Sequence, residues 1–202
     1  MKILKKISED EMIIEFLKAE INSKRFGKTI IDALNKKKKS KNIIINPNLE
    51  DKKENQFRRK LFGEVRGFGK NKDIFEDFPK DVKWYKARIT KKELGKIKYI
   101  DYSYWNKLSN GTRLPVQAAK NINAGVKIFN VSNEGFLEIL SVIKNKKTFP
   151  PMIFVAKNKK SRIVVLEGHA RLTAFFIEPK YIPKTMDVII GYSEKMTLWN
   201  LY

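Results

Sequence analysis

The sequence predicts an α+β protein: a small mixed sheet with flanking helices, joined to a mainly helical N-terminal region. Three observations predict it. Residues 1–78 carry helical periodicity interrupted by lysine-rich turns. Beyond Phe78-Pro79, segments with strand character alternate with helical ones. A hairpin pattern, Met152–Ala156 then Arg162–Leu166, runs directly into a strand-to-helix turn at Gly168.

The elements follow in order. Residues 8–25 read as an amphipathic helix opened by Ser8 with Glu11 three residues on, a capping-box pattern. Ile13, Ile14, Phe16, Leu17 and Ile21 supply its apolar face. A short helix over Thr29–Leu34 leads into the Lys36–Lys39 run, read as a solvated linker. Asn46-Pro47-Asn48 is a turn, and residues 49–65 form a helix with Phe57, Leu61 and Phe62 inward. Arg66-Gly67-Phe68-Gly69-Lys70 follows a helix, not a strand, so it reads as a helix stop and not a phosphate loop. A strand spans Val82–Ile89, and Thr90 with Glu93 caps what comes next. Helices are expected over 115–123 and 133–144, after Gly168, and in a last turn bearing Met196 and Trp199. Val188–Ile190 is a strand; Trp199 and Tyr202 close the core.

Composition narrows the chemistry. The 202 residues are 42% hydrophobic and 32% charged, which suits a globular core. No apolar run reaches the roughly 18 residues a membrane helix needs, and the basic N-terminus lacks a signal-peptide core, so a cytoplasmic protein without a membrane partner is expected. The absence of cysteine removes disulfides, thiolate metal sites and thiol nucleophiles, and a single histidine all but removes zinc. No protein metal site is therefore expected; a metal would be a hard cation such as Mg²⁺. The net charge of +21 points to polyanions, DNA among them. The lysine excess has a second source in AT-rich coding, which makes Arg58, Arg59, Arg66, Arg113 and Arg171 more informative than the lysines.

The one histidine sits in Glu167-Gly168-His169-Ala170-Arg171-Leu172-Thr173-Ala174. Gly168 permits close backbone approach or positive φ. The amides of His169, Ala170 and Arg171 would face an anion at the helix start. Arg171 would fork onto phosphate oxygens, and Thr173 would add a hydroxyl donor. His169 would donate to phosphate or shuttle a proton, and Glu167 would hold Mg²⁺ or accept a proton. The competing readings are local: His169 caps the helix or packs on Tyr181, and Glu167 pairs with Arg171, four residues on. A second constellation is Asp101, Tyr102, Tyr104, Trp105, Thr112 and Arg113, where aromatics beside Arg113 would stack a base and hold a phosphate, or where the tyrosines are core. No Gly-x-Ser-x-Gly elbow accompanies the histidine, which argues against a serine hydrolase.

The stretch Phe136–Ile190 resembles the ParB/sulfiredoxin-like superfamily. The matching pattern is a helix, then Pro150-Pro151-Met152-Ile153-Phe154-Val155, a hairpin, the Gly168-x-x-Arg171-x-x-Ala174 turn, and a strand after Ile182-Pro183. Val82–Ile100 looks like that family's first strand and helix, with about 100–133 as an insertion in a core of 79–202. The resemblance implies a nucleotide (ATP, ADP or CTP) with Mg²⁺ bound at the turn. It implies phosphotransfer or nucleotide hydrolysis with Glu167 and His169 as catalytic residues. His169 stands where sulfiredoxins carry their cysteine, so that reaction is not expected. The turn is closest to the acidic-Gly-His-His-Arg turn of the free-serine-kinase branch, with Ala170 in place of the second histidine. A DNA-binding protein or nuclease of the same group, and a non-catalytic interaction module, are the alternatives.

Overall fold

The computed structural model describes residues 1–202. The chain is α+β, with one five-stranded mixed sheet in the order β1-β2-β5-β3-β4. The strands are β1 (Lys2–Ile7), β2 (Lys83–Thr90), β3 (Ile153–Ala156), β4 (Ile163–Glu167) and β5 (Thr185–Tyr192). All neighbours pair antiparallel except β3 and β5, which run parallel.

Helices cover both faces, so β3 and the middle of β4 are buried throughout, as expected for strands with no solvated side. On one face lie α1 (Glu9–Glu20), α2 (Gly27–Lys36), α3 (Asn42–Ile45) and α4 (Lys52–Arg66). Their Met12, Phe16, Leu17, Ile30, Ile44, Leu61 and Phe62 pack with Ile7, Trp84, Ile153, Val155, Val164 and Ile189 of the sheet. Against the other face pack α6 (Ser103–Leu108), α7 (Pro115–Asn123), α8 (Glu134–Lys144) and α9 (His169–Ile177), after the single turn α5 (Lys91–Leu94).

Local sequence explains several ends. Ser8 and Glu11 form the reciprocal capping box at α1, and Thr90 with Glu93 forms another at α5. Gly67 ends α4 in the left-handed region at φ +79, which makes the Arg66–Lys70 segment a helix stop, as its sequence predicts. Trp199 and Tyr202 are 2% and 5% exposed and close the core; the Trp199 indole donates to the Ile74 carbonyl at 3.0 Å. No helix is long and apolar enough to cross a membrane.

One strand carries no sequence signal. β1 pairs with β2 at the sheet edge, and its register shifts between Ile3 and Lys5. Ile3 and Ile7 are four apart and would share a face of a regular strand. The bulge sends Ile3 to the α6–α9 side and Ile7 to the α1–α4 side. The alternation that reveals strands is lost with it. The N-terminal region thus supplies an edge strand as well as a helical layer.

Candidate functional site

The turn is built where β4 ends. Gly168 stands at φ +101, and a Cβ there would lie 2.6 Å from the Met152 side chain. Only glycine meets both constraints without strain. α9 starts at His169 with no side chain capping it. The amides of its first turn therefore lack the acceptor a Ser or Asp cap would give. Ala170 contributes its main chain alone to this turn.

Arg171 is 7% exposed. Its guanidinium donates to the Glu167 carboxylate and to the Pro150 carbonyl, which ties the turn to the segment entering β3. The pairing of Glu167 with Arg171 is thus present, and it directs the fork inward, not toward solvent. Burial raises the Glu167 carboxyl to about 7; the Arg171 charge opposes that shift, Glu20 adds to it and Arg66 opposes it. A carboxyl so placed titrates in the range suited to taking or giving a proton near neutral pH.

His169 neither caps the helix nor packs on Tyr181. Its ring lies on the Trp105 indole, with centroids 5.1 Å apart and planes 20° apart, and nearly parallel to Tyr99 at 6.2 Å. Tyr99 and Trp105 stack on each other at 4.6 Å. The Nε2 atom is buried and has no hydrogen-bond partner. Burial, then the charge of Arg66, lowers its pKa to about 3. At neutral pH the ring is therefore uncharged, with its pKa well below the reference value near 6.5.

Two further residues differ from expectation in their orientation. The Thr173 hydroxyl donates to the His169 carbonyl at 2.8 Å and sits 2.7 Å from the Tyr99 hydroxyl, in the core. With its one proton on the carbonyl, Thr173 accepts from Tyr99 and has none left for phosphate. Arg113 is an anchor. Its Nε donates to the Tyr99 carbonyl at 2.8 Å, Nη1 to the Tyr202 carbonyl at 3.0 Å and Nη2 to the Leu201 carbonyl at 3.2 Å. Asp101 takes a further bond at 3.3 Å. The guanidinium is consumed by the chain's own oxygens and is not aimed at the turn. Of the second constellation Trp105 reaches the turn, together with Tyr99, as packing for His169.

The structure adds residues that local reading misses. Glu20 at the end of α1 and Arg66 at the end of α4 are 9% and 6% exposed. They approach each other at 3.5 Å, and Arg66 also pairs with Asp73 at 3.1 Å and lies over the Phe26 ring at 3.8 Å. Both shift Glu167, and Arg66 shifts His169 as well. The turn therefore faces a buried charge cluster, Glu20-Arg66-Glu167-Arg171, drawn from both ends of the chain. The one sequence signal for it is Arg66 itself, a scarce arginine beside the glycine stop.

No group of three or more His, Cys, Asp or Glu side chains converges as a metal site would require. No protein-family model, curated protein or solved structure matches the chain.

Proposed function

We propose that the chain is a ParB/sulfiredoxin-like nucleotide-binding protein, and that the Glu167–Arg171 turn takes the phosphates and supports hydrolysis or phosphotransfer. The observation that carries this reading is the Glu167 carboxyl, 13% exposed, paired with Arg171 and raised to about 7, one residue from an uncapped helix start. The amides of His169, Ala170 and Arg171 supply donors with the positive end of the helix behind them. Glu167 takes a proton from the attacking water or acceptor hydroxyl as the new bond to phosphorus forms and the nucleoside diphosphate leaves. Arg171 holds Glu167 in place through the pair they share. Uncharged His169 presents Nε2 as an unsatisfied atom beside the turn. Mg²⁺, if bound with the nucleotide, would neutralise phosphate charge and be held largely by the phosphate oxygens, since Glu167 is the one carboxylate within the turn.

The test is a thermal-shift series with ATP, ADP and CTP, each with Mg²⁺, on the wild type and Glu167→Gln. A ligand of the native state raises Tm by mass action. One nucleotide should raise Tm in both proteins while phosphate release is lost in the variant. No shift with any of them at millimolar concentration overturns the reading.

A further inference from the structure

A second concave site lies at the far end of β4 from the turn. It is a cavity of about 610 Å³ between the start of β1, the α5 turn and the tip of the β3–β4 hairpin. Its rim carries Lys96, Lys159 and Lys160, and Arg162 stands beside them. Its floor is Ile3, Ile97 and Tyr192. β4 runs from Ile163, at this cavity, to Glu167, so the two sites stand roughly 13 Å apart at about 3.3 Å per strand residue.

Two features make this cavity a candidate polyanion site. First, its positive charge is unbalanced. Lys96, Lys159 and Lys160 are exposed, and none is paired with a carboxylate. The single acid lining it, Glu93, is engaged by the Met1 amino group and by the Thr90 cap. Second, the floor carries one aromatic ring. Tyr192 lines the cavity half-buried, with Tyr85 beside it at 6.0 Å between ring centroids. Arg162 is already directed to the Tyr202 carbonyl and ring, which leaves the three lysines as the free cations.

We infer that this groove binds single-stranded nucleic acid, with phosphates on Lys96, Lys159 and Lys160 and a base stacked on Tyr192. A duplex offers phosphates but keeps its bases stacked on one another, so it would use the lysines and leave the aromatic floor idle. A strand with exposed bases uses both, which is the combination single-strand sites employ. The +21 net charge of the chain steers such a polyanion toward the surface, and the groove gives it a place to settle. This inference does not depend on nucleotide binding at Gly168.

The test is fluorescence anisotropy with a short labelled oligothymidylate, titrated across salt concentration. The triple variant Lys96→Ala/Lys159→Ala/Lys160→Ala should bind roughly tenfold or more weakly at low salt. Its log K against log[salt] slope should fall by about 2, from three lost contacts at ~0.7 each. The charge-matched control Lys36→Ala/Lys38→Ala/Lys41→Ala, in the α2–α3 linker, should keep the slope. Tyr192→Leu should weaken binding by about tenfold, whereas Tyr192→Phe, which keeps the ring, should not. Equal losses in the two triple variants, or no oligonucleotide binding by the wild type at low salt, overturn the proposal. Duplex binding as tight as single-strand binding, with Tyr192→Leu silent, overturns the single-strand assignment.

Discussion

The imidazole of His169 lies against the indole of Trp105, ring on ring at 5.1 Å, with its Nε2 buried and unpaired. A charged imidazolium there would leave its Nε2 proton with neither water nor a carboxylate partner, and Arg66 repels it further. The first prediction is spectroscopic. The ring proton signals of this single histidine should not titrate between pH 8 and 5. A midpoint near 6.5 would contradict the buried, neutral assignment.

The second prediction concerns stability against pH. The His169 pKa falls from 6.5 unfolded to about 3 folded, so between those values the unfolded state binds more protons. Stability from this group is complete above 6.5 and is lost as pH falls toward 3. Glu167 rises from 4.5 to about 7, so between those values the folded state binds more protons. Its contribution is complete below 4.5 and is lost as pH rises toward 7. The two slopes oppose each other from about pH 4.5 to 6.5, each at most about 1.4 kcal/mol per pH unit. Urea unfolding across this window should show His169→Gln losing stability toward high pH relative to wild type, and Glu167→Gln losing it toward low pH. Parallel curves for all three proteins would contradict both assignments.

The third prediction tests the buried pair. Arg171→Ala removes the partner of Glu167 and the donor to Pro150, and should destabilise by about 3–5 kcal/mol in denaturant titration. Removing both charges with Glu167→Leu/Arg171→Met should cost less than Arg171→Ala alone, because the Pro150 carbonyl loses its donor in both variants but only the single one leaves the Glu167 carboxyl unpaired.

The fourth prediction separates anchoring from binding at Arg113. Arg113→Ala frees the carbonyls of Tyr99, Leu201 and Tyr202 and should cost about 1.5–3 kcal/mol of stability. Nucleotide affinity, measured by titration calorimetry below the melting transition, should be unchanged. A large affinity loss with intact stability would return Arg113 to the binding site.

These residues show what the sequence carries. The Ser8–Glu11 box, the Gly67 stop, the β3–β4 hairpin and the strand-turn-helix at Gly168 are written in contacts a few residues long, and each is legible. β1 is not, because its bulge removes the alternation. Arg113 misleads because two of its acceptors are main-chain oxygens 88 and 89 residues away, which have no residue signature. Thr173 misleads because it bonds back to the carbonyl four residues earlier, turning its hydroxyl inward. Glu20 and Arg66 reach the turn by tertiary packing alone, and no spacing rule joins residues so far apart in the chain.

The most direct measurement is phosphate release by wild type and Glu167→Gln with ATP or CTP and Mg²⁺, run beside nucleotide-dependent Tm shifts. Nucleotide binding at the turn with Glu167 as the base predicts a Tm rise in both proteins and turnover in the wild type alone. Equal turnover in both proteins, or no nucleotide-induced shift in either, would contradict it.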